Sequence, residues 1–229
     1  MLPRDKEPAL RHLVEVFLAE NAKLNLSSLR TPDAAWTGHI LDSIALLEIL
    51  PFLEEKIRTQ KLNRLLDIGT GGGFPLLPLA IALPETQCHG LDATGKKIFA
   101  VKRMLKEIHL SNVSRHTGRC EELAHDPELR ATFDVVTARA VCGIAELLEY
   151  AIPFLRPHGC LVLWKSLSAG EEITQSAHAQ KVLLAPLIHH HRYELPEPFG
   201  VRQLLVFQKE HPTDPRYPRP VGVPKKSPL

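Results

Sequence analysis

From Arg64 onward the sequence changes period, and that change leaves few architectures open to the chain. Short β-type runs at 65–68, 88–91, 112–116, 133–137 and 160–164 alternate with helix-type stretches at 75–83, 96–108 and 144–155. Strands separated by helices pair in parallel, because a parallel connection needs a crossover long enough to hold a helix. The helices then cover both faces of the sheet. The expected fold class is α/β with a mostly parallel, Rossmann-like sheet. Two later runs, 182–189 and 201–208, flank Pro196 and Pro198 and read as a terminal antiparallel hairpin, which brings the sheet to seven strands. Pro186 inside the first run is a poor strand residue.

The first sixty residues have a different pattern. Leu10, Leu13, Val14, Phe17 and Leu18 follow helical spacing. A break at 25–32 follows, then Trp36, Ile40, Ile44 and Leu47 resume it until Pro51 interrupts. The expected organisation is a helical segment at 1–60, a ligand-binding α/β domain at 61–209, and a Pro-rich tail at 210–229. Five basic residues against two acids give 209–229 a charge of +3, so 1–208 sum to −1 within the chain's +2. A basic tail on a near-neutral body points to an anionic partner or to simple solubility.

Cys88, Cys120, Cys142 and Cys160 form no CxxC pair, so neither a metal site nor a redox pair is expected. Free cysteines suit a reducing compartment. Residues 1–10 hold no apolar signal core. The apolar stretch at 74–83 is broken by two prolines and too short for a bilayer. A cytoplasmic location without membrane insertion follows as the expectation, as does a monomer with no obligate protein partner.

The loop Asp67-Ile68-Gly69-Thr70-Gly71-Gly72-Gly73-Phe74-Pro75 stands where the first strand meets the first helix. Ligands of open α/β sheets bind at such strand ends. A dinucleotide fingerprint requires glycine where this chain has Phe74. The Asp67 carboxylate would repel a pyrophosphate but suits an ammonium, such as that of S-adenosylmethionine. Asp92, at the end of the second strand, is placed to accept both ribose hydroxyls of either cofactor. Asp67 and Phe74 therefore favour S-adenosylmethionine.

The methyl acceptor is narrowed by what the chain lacks. There is no Asn/Asp-Pro-Pro-aromatic motif after the fourth strand, where Thr137-Ala138-Arg139-Ala140 stands, and no cysteine beside a proline there. A ring nitrogen with a free lone pair, such as guanine N7, needs neither device and no general base. Small-metabolite methylation remains open on these grounds, as does a non-catalytic RNA-binding module.

Taken in order, these residues resemble one family, the bacterial small-subunit (16S) ribosomal RNA guanine-N7 methyltransferases, also called glucose-inhibited division protein B. The resemblance spans nearly the whole chain. It includes Asn25-Leu26, His39-Ile40-Leu41-Asp42-Ser43, the glycine loop, Leu91-Asp92, Arg119 with Glu121-Glu122, Arg139-Ala140, Lys165 and Arg216-Tyr217-Pro218-Arg219-Pro220. It implies a class I methyltransferase that binds S-adenosylmethionine through Asp67, Gly69, Gly71, Phe74, Asp92, Cys120, Glu121 and Arg139. Arg119, Arg139, Lys165, Arg202 and Arg219 are the candidate contacts to the ribosomal RNA or small subunit. No residue is nominated as a catalytic base. Leu76 and Ser166 depart from the family, which favours glycine at both places.

Three further features have plainer explanations. His39 and Asp42 share a helix face and could pair near the cleft, but with no proton to move His39 is expected to be a packing residue. His189-His190-His191 lie on a strand whose alternation keeps them from converging on one ion. Lys96, Lys97, Lys102, Arg103 and Lys106 form a solvated helix face.

Overall fold

The computed structural model describes residues 4–139 and 141–229; Met1 to Pro3 and Ala140 of the Arg139-Ala140 pair lie outside them. Two helices, α1 (Glu7–Leu24) and α2 (Pro32–Ile57), precede the sheet. The alternation then runs β1 (Arg64–Ile68), α3 (Leu76–Ala82), β2 (Gln87–Asp92), α4 (Gly95–Glu107), β3 (Val113–Thr117), α5 (Cys120–Leu123) and β4 (Phe133–Arg139). It continues through α6 (Ile144–Ala151), β5 (Leu155–Lys165), α7 (Gly170–Gln175), α8 (Ala177–Val182), β6 (Leu187–Leu195), β7 (Gly200–Gln208) and α9 (Val223–Lys226).

The seven strands form one sheet in the order β3-β2-β1-β4-β5-β7-β6. All pairs are parallel except those of β7, which runs against both β5 and β6. Alternate residues of a strand face opposite ways, and β1 shows it. Leu65 joins the core under α1 to α4, whereas Leu66 and Ile68 join the core under α6 and α8. The stripe expected on α1 is the one buried, with Leu10, Leu13 and Phe17 fully enclosed. Each such side chain contributes about 2 kcal/mol by leaving water, and this holds the N-terminal helices on the sheet.

Three expectations need correction. The first strand of the hairpin begins at Leu187, not 182, because Val182 ends α8 and Pro186 has no N–H to offer the ladder. Pro51 does not end α2. A 3₁₀ stretch at Ala45–Ile49 precedes it, so Pro51 falls in the first turn of Leu50–Ile57, where its missing N–H costs little. Finally, the longest apolar run is Pro32–Ile57 rather than 74–83, which stays too short; Pro32–Ile57 is long and apolar enough to cross a membrane on length and composition alone. Half of it is buried within the fold, with Ile40, Leu46, Ile49, Leu53 and Ile57 in the core beneath the sheet.

The tail is laid back on the body. Arg130 donates to the carbonyls of Tyr217 and Asp214, and Arg219 grips Glu149 of α6. Lys209, counted in the tail's charge, is 1% exposed and donates to the carbonyls of Ile152 and Leu155. Burial lowers it to about 8, and its ammonium, enclosed against these carbonyls, is out of a partner's reach. Along β6, His189 packs against Phe52 with the rings tilted and His191 bonds Glu48, while His190 is exposed. On α4, Lys96, Lys102 and Lys106 are exposed around Phe99, and Arg103 pairs with Glu20.

Candidate active site

The carboxyl ends of β1, β2, β4 and β5 carry Gly69, Asp92, Arg139 and Lys165. The chain leaves β1 towards β2 and β3, then returns to β4 on β1's other side, so the switch in strand order falls between β1 and β4. Positive φ at Gly69 (67°) and Gly71 (54°) lets the backbone turn there. A Cβ on Gly69 would lie 2.6 Å from Val141 Cγ2, whereas one on Gly71 would meet only a carbonyl at 3.7 Å. The Gly71 face of the loop is therefore open to a ligand. Pro75 stands at the N-cap of α3 rather than inside its first turn.

Three cavities run in series along these strand ends. The first, about 320 Å³, is lined by Asp92, Thr94, Arg119, Cys120, Glu121 and Tyr150, with Gly69 and Lys97 at one side. Gly69 and Lys97 also line the second, about 200 Å³, together with Gly71, Phe74, Ser27, His39 and Arg139. Ser27, His39 and Arg139 recur in the third, about 490 Å³, beside Trp164, Lys165, Phe199 and Arg202. The candidate cofactor residues other than Asp67 thus line the first two, and most of the candidate RNA residues the third.

Asp92 is 7% exposed. Its Oδ2 accepts the Gly71 N–H at 3.0 Å and its Oδ1 accepts the Thr94 N–H at 2.8 Å. Each carboxylate oxygen has a further lone pair, so the group can brace the loop and accept ribose hydroxyls together. Glu121 accepts the Gly222 N–H of the tail at 3.1 Å, which ties the wall of the first cavity to the C-terminal segment. Leu76 does not reach the cleft. It is fully buried against Gly90, where a Cβ would stand 2.4 Å from Leu76 Cδ2.

Asp67 is placed differently from expectation. It lies beneath the loop, 1% exposed, and lines none of the three cavities. Its side of β1 faces the N-terminus of α3, not the cleft. Oδ1 accepts the Thr137 hydroxyl at 2.9 Å, and Oδ2 has no partner among the described residues. A buried carboxyl with spare acceptor capacity behind the loop favours a cation in front of it and opposes a pyrophosphate. The fit to S-adenosylmethionine thus rests first on Asp92 and the open Gly71 face, and Asp67, raised to about 7 by burial, adds to it through space only in its charged form.

Burial raises the Asp67 carboxyl from 3.8 to about 7, against the lowering pull of the Thr70 and Thr137 hydroxyls and of Arg139. The folded state then holds a proton that the unfolded chain has lost, so the contribution of Asp67 to stability falls between about pH 4 and pH 7 and is flat above. Asp67→Asn removes this dependence. Its stability relative to the native chain is expected to rise across that window in urea unfolding, and a difference constant with pH would refute the assignment.

Arg139 is the most constrained cation of the cleft. Its Nη1 donates to Gly38 O at 3.1 Å and Asp42 Oδ2 at 2.7 Å, and its Nη2 donates to His39 Nδ1 at 3.0 Å. Asp42 is itself held by the Tyr193 hydroxyl at 2.6 Å, and its carbonyl accepts the Trp164 indole N–H at 2.8 Å. A π-helical turn at Trp36–Leu41 within α2 widens the helix and brings Gly38, His39 and Asp42 to the end of β4. His39 and Asp42 thus do not pair with each other; both hold Arg139. Two guanidinium donors, Nε–H and one on Nη2, remain for a ligand.

His39 is 8% exposed and stacks on Phe74 with ring centres 4.4 Å apart and planes 9° from parallel. Because Nδ1 accepts from Arg139, the ring proton sits on Nε2, which donates to Ser27 Oγ at 2.9 Å. Burial, then the nearby Arg139 charge, lowers its pKa to about 3. Ser27 and Leu29 are held in turn by Asn21, whose amide spans their carbonyls.

The candidate RNA residues divide. Arg202 lines the third cavity, and among the described residues its guanidinium bonds only the neighbouring Val201 carbonyl. Lys165 also lines it, though its ammonium donates to Cys142 O and Glu172. Arg119 lies at the first cavity instead. Arg219 is a correction: its side chain makes three hydrogen bonds to Glu149, which is 0% exposed, and so anchors the tail. A fully buried carboxylate requires such a partner.

The chain from residue 6 to 193 matches the model of the GidB family, rRNA small subunit methyltransferase G. The chain belongs to this family. It is 39% identical over 215 residues to the ribosomal RNA small subunit methyltransferase G of Streptococcus suis (strain 05ZYH33), covering 94% of this chain and 88% of that one. Its counterpart in Desulfitobacterium hafniense (strain Y51) is 37% identical over 209 residues, covering 91% and 83%. Among solved structures, a putative O-methyltransferase from Klebsiella pneumoniae has a TM-score of 0.58 at 14% identity, covering 87% of this chain and 90% of that one. The O-methyltransferase of Bacillus cereus, solved with SAH, has a TM-score of 0.58 at 15% identity, covering 86% and 90%. The GidB chain thus shares the fold of the methyltransferases, and it is an S-adenosylmethionine-dependent methyltransferase.

Several residues of the site carried no functional signal in the sequence. Tyr193 and Phe199 belong to the hairpin, more than 150 residues from Asp42 and Gly38, which they respectively meet. Lys97 reads as one of five solvated basic residues, yet it lies within 3.9 Å of Asp92 and lines two cavities. Its place two residues past Gly95 was the available clue, since the first turn of α4 faces the cleft.

Proposed function

We propose that this GidB chain transfers a methyl group from S-adenosylmethionine to N7 of a guanine in small-subunit (16S) ribosomal RNA. The observation that carries the proposal is the third cavity. It opens beside the cofactor cavities, with Trp164 and Phe199 to meet a base and Arg139, Lys165 and Arg202 in the same lining. Aromatic faces and cations together suit a nucleotide splayed out of its strand.

When bound, S-adenosylmethionine supplies an electrophilic methyl on a sulfonium, which the N7 lone pair attacks without a proton to remove. The protein's work is to hold and orient. Asp92 and the wall at Cys120 and Glu121 take the nucleoside. Gly69, Gly71 and Phe74 shape the middle of the cleft, and the free edge of Arg139 is available to a carboxylate or to an acceptor oxygen. His39 is neutral and already bonded at both nitrogens, so it has no place as a base. We also propose a cytoplasmic location, which the free cysteines suit, and a monomer.

The test is transfer from labelled S-adenosylmethionine to small subunits that lack the modification, with the product nucleoside identified by mass spectrometry. About one 7-methylguanosine per subunit is expected, with an affinity for RNA that weakens with salt. Cofactor binding without transfer to subunits at any assembly stage would favour a small-metabolite acceptor.

A further inference from the structure

Ser27, His39 and Arg139 line both the middle cavity and the acceptor cavity. They are also one hydrogen-bonded row, Ser27 Oγ to His39 Nε2 and His39 Nδ1 to Arg139 Nη2. The partition between the two cavities is therefore one side chain thick, and the histidine is its middle member. In-line transfer needs the reacting atoms about 3–3.5 Å apart, and an error near 1 Å costs about 10²-fold in rate. Whatever fixes this partition fixes where the two substrates meet.

We propose that His39 is a positioning residue of the transfer: its ring, laid flat on Phe74, holds Arg139 in the partition and so sets the aperture at which acceptor and methyl donor meet. The inference rests on the function proposed above. Phe74 belongs to the cofactor loop, so the stack joins that loop to the acceptor wall. Phe17 closes the ring's other approach edge-on, with centres 5.1 Å apart. Asp42 and Gly38 hold only Nη1. Without His39, Nη2 has no acceptor among these contacts, and the guanidinium is free to turn into either cavity. A purely packing histidine would need neither the defined tautomer nor the bond to Arg139.

Three variants separate these roles. His39→Phe keeps an aromatic ring on Phe74 and loses both hydrogen bonds. His39→Asn loses the stack and keeps a carbonyl acceptor for Arg139. His39→Ala loses both. Calorimetry should find S-adenosylmethionine bound within about threefold of the native affinity in His39→Phe, while kcat on small subunits falls about 10²-fold with little change in the RNA KM. His39→Asn should recover about tenfold of that loss relative to His39→Ala. Long-range ¹⁵N–¹H spectra of the native chain should show a neutral, Nε2-protonated His39 at pH 7, a readout independent of turnover. Native kcat in His39→Phe, a rate loss matched by an equal loss of cofactor affinity, or an Nδ1-protonated ring would each overturn the proposal. If the native chain fails to methylate guanine in any subunit preparation, the proposed function has failed instead.

Discussion

Arg219→Ala is expected to unfold about 3 to 5 kcal/mol more easily than the native chain, because it strands a buried carboxylate. Glu149 is fully enclosed, and three of the four hydrogen bonds it receives from residue 219 come from the side chain; only the backbone N–H would remain. For a chain of this length that loss corresponds to a melting temperature about 6 to 20 °C lower. Glu149→Gln in the same chain removes the stranded charge and should restore part of the loss. Chemical unfolding and calorimetry of the two variants measure this directly. If Arg219→Ala keeps its stability and instead loses affinity for small subunits, the arginine is an RNA contact after all.

Asp92→Ala should weaken S-adenosylmethionine binding by at least about tenfold, and about a hundredfold if both ribose bonds are lost, since bonds to a charged group contribute about 1.5 to 3 kcal/mol. The same change removes the acceptor for the Gly71 and Thr94 N–H groups, so the loop loses its brace as well as its ligand contact. Asp92→Asn, which keeps one oxygen, separates the two effects: a smaller fall in affinity is expected. Unchanged affinity in titration calorimetry would remove Asp92 from the nucleoside site.

Much of this was legible from local pattern. The alternation after Arg64 implied a parallel sheet with a terminal hairpin, and Gly69, Gly71, Phe74, Asp92, Cys120, Glu121 and Arg139 line the cleft they were assigned to. Those residues sit at strand ends, which sequence locates well because strand and loop differ in composition. The errors came where long-range packing decides. Asp67 was read by charge alone, but its direction depends on which face of β1 it occupies. Arg219 and Lys209 counted as tail charge, yet Glu149 and the carbonyls of Ile152 and Leu155 had already claimed them. No spacing rule connects Arg219 to a glutamate 70 residues earlier. The π-turn was equally hidden, since its apolar spacing resembles that of an ordinary helix, yet it lies in the segment that brings His39 and Asp42 to Arg139.

β7 enters the sheet between β5 and β6, so the strands do not sit in the order in which a ribosome makes them. During translation β6 emerges with no neighbour, because its one partner in the sheet is β7. The hairpin must close before it can dock on β5, and until then Tyr193 is absent from Asp42 and Phe199 and Arg202 are absent from the acceptor wall. A nascent chain that has reached residue 186 already carries every residue lining the two cofactor cavities. In synthesis the lining of the cofactor cavities is thus complete before that of the acceptor wall, although β7 still owes side chains to the cores on both faces of the sheet.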